Sequence, residues 1–195
     1  MAEPIIIGIG YGNAYLMDSL RIRDYTYPKA LAQDSFPTSG GANSFYSFLK
    51  NELIPTIDRN YRTDKFSRTL MGHSFGGYFT LYVLLQDLET MEADRPLFSN
   101  FISASPSINY YNQYIVSKLE KLENHIKKSE LKKPGIHVTV GSQELSGELK
   151  QLFPKLNELL KRCQTVQSNT KIYKNLDHMG TAIPTFEDAI KNLFQ

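Results

Sequence analysis

Arg68-Thr69-Leu70-Met71-Gly72-His73-Ser74-Phe75-Gly76-Gly77 is the stretch on which the fold turns. A short strand-like run, Arg68 to Met71, leads into Gly-x-Ser-x-Gly, and a segment of helical character from Tyr78 to Gln86 follows at once. A serine placed between strand and helix with no intervening loop must adopt a strained backbone that lifts its hydroxyl off the sheet. Glycines flank it because side chains there would collide. The helix behind Ser74 brings unpaired first amides and the positive end of its dipole, so the backbone N–H of Phe75 is a candidate donor to an oxyanion. His73 cannot easily fold back onto the neighbouring hydroxyl at so sharp a turn and reads as a packing residue.

A chain of 195 residues suits one substantial core, and a single domain over residues 1–195 is expected. Twenty-two basic and twenty acidic side chains nearly balance, with no basic stripe, which argues against nucleic acid as a partner. The pairs Lys127-Lys128 and Lys132-Lys133 read as the solvated end of a helix and its loop. A lone cysteine, Cys163, excludes an intrachain disulfide and falls at an apolar helical position, as a buried small hydrophobe would. Apolar runs such as Ile5-Ile6-Ile7 are far too short to span a bilayer, and no signal-peptide pattern opens the sequence. A soluble protein is expected, cytoplasmic if the chain is complete and periplasmic or secreted if a signal precedes it.

Working outward, Pro4 to Ile9 is a continuous β-branched run, the signature of a strand buried on both faces of a parallel sheet. Tyr11 to Gly41 reads as a long irregular stretch carrying Arg21, Arg23 and Asp24, suited to a pocket wall or a lid. Phe45, Phe48, Leu49 and Leu53 mark a helix capped at Asn43 or Ser44 and ending near Pro55 and Ile57. Strands are expected at Asn100–Ala104, Ile136–Val140 and Thr170–Tyr173. Helices on the stripes Ile115/Leu119/Leu122/Ile126 and Leu149/Leu152/Leu156/Leu160, with a bend or restart at Pro154, alternate with them. Strands alternating with helices define an α/β fold with a mainly parallel sheet. Loops at the carboxyl ends of such strands gather around the site, which makes Tyr110 and Tyr111 candidates for a substrate wall.

A serine hydroxyl is a weak nucleophile near neutral pH and needs a base within reach and a third group to orient that base. Of four histidines, His125 lies on a lysine-rich helix and His137 inside a strand, while His178 alone follows a strand's carboxyl end. Glu144 follows the preceding strand in the spacing Gly-x-x-Glu, giving the order Ser74, Glu144, His178. Asp177 competes for the acid role by adjacency, and a Ser-His dyad without an acid is the third arrangement. No cluster of metal ligands is evident, and the chemistry calls for no cofactor.

Asn51-Glu52-Leu53-Ile54-Pro55, Tyr61-Arg62, Gly72-His73-Ser74-Phe75-Gly76-Gly77, Ser105-Pro106-Ser107 and the late His178 together resemble the esterase family of α/β-hydrolases that includes enterochelin (ferric-siderophore) esterases. Gly8-Ile9-Gly10-Tyr11 and Arg21-x-Arg23-Asp24-Tyr25 resemble that family's strand and loop upstream of the first helix. The resemblance implies an α/β-hydrolase-like three-layer sandwich and a serine enzyme that cleaves small-molecule esters through an acyl-enzyme; it does not identify the ester, for which a siderophore-like or aromatic acyl ester is the expectation. Arg21, Arg23, Tyr110 and Tyr111 would then line the mouth of the site and hold an anionic, aromatic acyl group. Members of the family carry further strands ahead of the segment that begins this sequence, including the loop with the second oxyanion amide. The expected fold is therefore N-terminally truncated. Truncation carries two further expectations: a homodimer joined through open strand edges, and, as the alternative to an esterase, a weak or inactive relative serving as a ligand-binding or assembly module.

Overall fold

The strand-forming segments assemble as β1 (Thr69–His73), β2 (Asn100–Ala104), β3 (Gly135–Gly141) and β4 (Gln167–Tyr173), in a computed structural model that describes residues 4–89, 96–122 and 133–194. All three ladders are parallel, in the order β1-β2-β3-β4. Helices α1 (Met17–Tyr25), α2 (Ala42–Phe48) and α3 (Ile54–Asn60) precede the sheet. The crossovers that parallel neighbours require are α4 (Phe75–Glu89), α5 (Tyr110–Leu122) and α6 (Leu149–Arg162), and α7 (Ala182–Phe194) comes after β4.

Register assigns the two faces. Phe101 pairs with Ile136 and Ser103 with Val138, and Ser103 Oγ donates to the Gly77 carbonyl at 2.9 Å, so this face carries α4. Ile102 pairs with His137 and Ala104 with Thr139, and Thr139 Oγ1 meets Thr185 Oγ1 at 2.7 Å, which brings α7 to the opposite face. Helices on both faces of one sheet give the three layers of an α/β sandwich.

α4 is apolar around its circumference, and every residue from Gly77 to Leu85 is buried. Such a helix belongs in the centre of a core rather than on its surface. Its tyrosines bring hydroxyls into that core and need acceptors there. Tyr78 donates to the Tyr27 carbonyl at 2.5 Å, and Tyr82 donates to Asn43 Oδ1. Asp87, also buried, accepts from Tyr46 and from the Leu97 amide, and its burial holds its carboxyl above the usual range. These bonds clasp α2 and the loop before it onto α4.

The structure departs from the sequence expectations in four places. Pro4 to Ile9 is not a strand: Ile6 is 75% exposed, and Ile5, Ile7 and Ile9 are exposed beside it. β-branched residues favour a strand only where a neighbour completes the ladder, and the one strand hydrogen-bonded to β1 among the described residues is β2. Within Tyr11–Gly41 lies α1, hidden from pattern reading because its sequence, MDSLRIRDY, carries no apolar stripe. The helix from Ala42, expected to end near Pro55 and Ile57, passes through a π-helical stretch, Leu49–Leu53, and continues as α3 to Asn60 with Pro55 in its first turn. Of the bend or restart expected at Pro154, the restart does not occur, since α6 is one helix from Leu149 to Arg162. His125 and the Lys127-Lys128 pair lie outside the described residues.

His137, on the α7 face of β3, has a buried Nε2 with no hydrogen-bond partner among the described residues. Burial, aided by the charge of Lys171, holds its pKa below the ordinary value, and burial does the same to His73. In the unfolded chain both histidines titrate near about 6.5. As the pH falls through that value the unfolded state takes up protons that the folded state refuses, so stability declines until the lower folded values are passed. Asp58 and Asp188, whose carboxyls are held low mainly by hydrogen bonds from Thr63 and Lys171 respectively, act near and below about pH 4 instead. Urea midpoints measured between pH 7 and pH 5 are expected to fall, with part of the slope lost in His137→Gln. Asp87, whose carboxyl is raised by burial, works in the opposite sense in the lower part of that range and is common to both proteins, so a urea-midpoint difference between the unmodified protein and His137→Gln that does not change with pH would contradict this assignment.

Candidate active site

The turn between β1 and α4 takes a single residue. Ser74 has φ +61, in the left-handed region, and its amide donates to the Ala104 carbonyl at 3.0 Å, extending the β1–β2 ladder one step beyond the strand. Its own carbonyl accepts from Tyr78 N at 2.9 Å as the first bond of the helix. A non-glycine residue held there carries strain that the surrounding structure must overcome. A Cβ at Gly72 would lie 2.2 Å from the Gly76 carbonyl oxygen, and one at Gly77 would lie 2.8 Å from the Ala104 oxygen. Gly76 itself faces open space. The close crossing therefore needs Gly72 and Gly77, whereas the motif's second glycine contributes its backbone.

Ser74 Oγ lies 2.9 Å from His178 Nε2, and His178 Nδ1 lies 2.6 Å from Glu144 Oε2. Glu144 sits in the 3-10 turn after β3, and His178 in the loop after β4. The Glu144 side chain is only 7% exposed, while that of His178 is 43% exposed. A carboxylate so enclosed needs donors, and Oε1 accepts from the Gly141 amide and from Ser105 Oγ, each at 2.7 Å. Asp177 points elsewhere, its Oδ1 accepting from the Gly180 amide. The ionised acid favours the imidazole tautomer with its proton on Nδ1, which leaves Nε2 as an acceptor facing the serine hydroxyl.

His73 has a part the sequence did not indicate. Its Nε2 lies 2.7 Å from the backbone carbonyl of His178, with the two rings 4.7 Å apart between centroids. A carbonyl only accepts, so His73 Nε2 carries a proton; burial is the main reason its pKa is low, and it remains neutral. Ser107 is the other addition, its Oγ 3.4 Å from Ser74 Oγ and its amide donating to the Ser74 carbonyl at 3.3 Å.

The remaining candidates separate. Phe75 is the first residue of α4, so its amide is one of the first-turn donors for which an α-helix supplies no acceptor, and it directly follows Ser74. Arg21 lies with its guanidinium 6.0 Å from the centre of the Tyr25 ring and 3.8 Å from Asp18 one turn back on α1. Arg23 is held differently: Nε and a terminal nitrogen bond both oxygens of buried Asp24 at 2.6 and 3.0 Å, and Tyr11 donates to the same carboxylate. Tyr110, expected in the substrate wall, is 6% exposed, donates to the Pro28 carbonyl and packs edge-on against Phe75 and Tyr78. An aromatic ring beneath another aromatic ring supports a wall without forming its surface. Tyr111 beside it remains half-buried, on the first of three successive left-handed residues, Tyr111, Asn112 and Gln113. Among the described residues no group of three or more His, Cys, Asp or Glu could hold a metal ion, and no helix is long and apolar enough to cross a membrane.

The parallel sheet, the one-residue elbow and the hydrogen-bonded Ser-His-Glu series are the outline of an α/β-hydrolase. The chain belongs to the Esterase family, described as "Putative esterase", which it matches over residues 1–179. Against the ferri-bacillibactin esterase BesA of Bacillus subtilis it is 36% identical over 132 residues, 64% of this chain and 43% of that protein. Against the apo-salmochelin esterase of Escherichia coli O6:H1 it is 30% identical over 128 residues, 62% of this chain and 37% of that protein. The chain thus spans about two-fifths of the length of these curated relatives. Among solved structures, the BES protein from Bacillus cereus superposes with a TM-score of 0.75 at 27% identity, over 94% of this chain and 67% of that one. The enterobactin hydrolase IroE in complex with DFP superposes at 0.70 and 26% identity, over 94% and 68%.

The crossing at Gly72 is testable without any substrate. Gly72→Ala forces backbone atoms apart by more than a packed turn allows and is expected to cost about 2 kcal/mol or more of stability, or soluble expression altogether. Gly76→Ala meets no atom and, near a helix start, is expected to leave thermal stability unchanged or raise it. Equal thermal midpoints for the two variants would refute the geometry.

Proposed function

We propose that this chain carries a serine carboxylic-ester hydrolase site in which Ser74 is the nucleophile, His178 the general base and acid, and Glu144 the residue that orients His178. The observation that carries the reading is the unbroken series Ser74 Oγ, His178 Nε2, His178 Nδ1, Glu144 Oε2, at 2.9 and 2.6 Å. Ser74 Oγ bonds to the ester carbonyl carbon while its proton passes to His178 Nε2, and the imidazolium is steadied by Glu144. The carbonyl oxygen, now an oxyanion, accepts from the Phe75 N–H at the positive end of α4. Collapse breaks the bond to the alcohol oxygen, which leaves with the proton from His178. Water then repeats the sequence on the acyl-enzyme and restores Ser74.

The names of the relatives point to siderophore esters, and Arg21 supports that class because a guanidinium suits an anionic, aromatic acyl group. Arg23, occupied by Asp24, is the weaker candidate for such a contact. A second reading, a ligand-binding module with little turnover, is favoured by the Phe75 N–H being the one candidate oxyanion donor identified among the described residues. A missing oxyanion donor costs on the order of a hundred- to a thousand-fold in turnover. The two readings share an activated serine and differ in the rate at which an ester is turned over.

Ser74→Ala is expected to lower hydrolysis of a nitrophenyl ester by about 10⁴-fold or more and to abolish labelling by a fluorophosphonate, with the circular dichroism unchanged. Undiminished hydrolysis would remove Ser74 from the mechanism. Labelling of the unmodified protein without measurable ester turnover would instead select the binding-module reading. Arg21→Ala is expected to raise KM several-fold for anionic aryl esters and leave neutral short-chain esters unaffected, whereas Arg23→Ala is expected to lower the thermal midpoint with KM unchanged. The reverse pattern would reassign the two arginines.

A further inference from the structure

Two buried hydroxyls stand behind the acid of this site. Ser105, 2% exposed and at φ +39, comes directly after the end of β2, and Thr181, fully buried, leads into α7. They make three contacts: Ser105 Oγ to Glu144 Oε1 at 2.7 Å, Ser105 Oγ to Thr181 Oγ1 at 2.5 Å, and Thr181 Oγ1 to the His178 carbonyl at 3.0 Å. Two hydroxyls supply only two protons for three contacts. An ionised carboxylate only accepts, so the proton of Ser105 goes to Glu144. Two hydroxyl oxygens 2.5 Å apart repel unless a proton lies between them, so the proton of Thr181 goes to Ser105. The His178 carbonyl, left without the Thr181 proton, takes its hydrogen bond from His73 Nε2 at 2.7 Å.

We propose that Ser105, backed by Thr181, is a positioning residue of the hydrolytic site: the directed series Thr181 O–H, Ser105 O–H, Glu144 Oε1 holds that oxygen between two donors, Ser105 and the Gly141 amide, and leaves Oε2 alone to face His178. This rests on the serine-hydrolase reading. Hydrogen bonds to a charged group are the stronger kind, and here they fix both the plane of the carboxylate and the distribution of its charge. Without the Ser105 proton the carboxylate can swing, and more of its charge turns toward the imidazole, favouring the protonated ring that cannot act as base. The titratable groups facing His178 are Glu144, from the turn after β3, and His73, from β1, with the Arg21 charge of α1 acting on His73; Asp177 is turned to Gly180. None of these is altered by the substitutions below.

Ser105→Ala is expected to lower kcat for a nitrophenyl ester on the order of tenfold with KM within about twofold, and to move the acid limb of the pH–rate profile to higher pH. Ser105→Gly relieves the left-handed backbone but also lacks the hydroxyl, so it is expected to match Ser105→Ala; recovery of the unmodified rate would show that only the backbone matters and overturn the proposal. Thr181→Val is expected to shift rate and limb in the same direction by less, and Thr181→Ser to restore both. The threonine pair alone decides the matter if the Ser105 variants do not fold, and equal behaviour of Val and Ser at 181 would overturn it. Pseudo-first-order labelling by a fluorophosphonate across the same pH range reads the same quantities where ester turnover is slow. An unmodified protein that neither labels nor hydrolyses defeats the hydrolase reading and this proposal together. A labelled protein, silent as Ser74→Ala but undisturbed as Ser105→Ala, defeats the proposal alone.

Discussion

The approach of Gly72 to Gly76 is the constraint on which the structure depends. A strand and a helix joined through one residue must cross within contact distance, and the 2.2 Å that would separate a Gly72 Cβ from the Gly76 oxygen measures how little room remains. That crossing dictates the burial of α4, since a helix starting at the end of β1 is forced across the face of the sheet. A helix in that place has to be apolar on all sides, which the run from Tyr78 to Leu85 is. The same crossing sets the left-handed backbone of Ser74, whose amide is stitched to β2 and whose carbonyl starts the helix. The strained residue is thus bonded on both sides, which is how strain of about 1–3 kcal/mol persists in a folded chain.

Burial of Glu144 is the second organising cost. A carboxylate with a side chain 7% exposed is expensive unless its lone pairs are met, and the residues that meet them come from three different places: Gly141 from β3, Ser105 from the end of β2 and His178 from beyond β4. Because these partners lie on adjacent parallel strands, their carboxyl ends are brought together by the sheet itself, and the loops need only aim. Thr139, Thr185 and the Thr181 carbonyl continue the polar line between β3 and α7, so the loop carrying His178 is anchored from below as well as from the side.

Local chemistry is the part of this fold legible in the sequence. β2 has the limits its pattern suggests, the elbow lies between strand and helix, and the alternation of strands and helices gives the parallel sheet and the family. The features hidden from the sequence depend on partners far away in the chain. Ile5 to Ile9 has the residues of a strand, yet strand residues do not make a strand without a neighbour, and no pattern within five residues reports whether one is present. α1 has no apolar stripe; it is tied to the rest of the chain by Asp24, which accepts from Tyr11, and by the Tyr25 ring packed against Phe45 and Phe79. Tyr110 does stand after a strand, as its place in the sequence suggests, but its ring direction is set by the Pro28 carbonyl and by Phe75 and Tyr78, none of which the local sequence reveals. Adjacency leaves Asp177 and Glu144 as rivals, and only the three-dimensional path of the loop separates them: the first closes its own turn at Gly180 while the second reaches the imidazole. Ser105 stands in the sequence as part of a motif without a task, since a hydroxyl next to a strand end acquires one only when a distant carboxylate arrives beside it.

The two sides of the site are built to different degrees. On the side of β2, β3 and β4 every polar group that touches the nucleophile's partners is itself bonded: His178 to Glu144, Glu144 to Ser105 and Gly141, Ser105 to Thr181, and the His178 carbonyl to His73. On the side of β1 the sheet of described residues ends, with the Phe75 N–H at the elbow as the first amide of α4. Activation of a serine and stabilisation of an oxyanion are separable terms, the first set by the base and its orienting acid and the second by fixed donors around the carbonyl oxygen. Under the proposed reading the acid is enclosed and held by several hydrogen bonds, the base is held by them although its side chain is 43% exposed, and the donor identified for the oxyanion among the described residues is the elbow amide. Differences in rate among variants on the β3–β4 side should therefore report on how well the base is held, and differences on the β1 side on how well the acyl group is seated. The physical division of labour runs along the line between β1 and β2, through Ser74 itself.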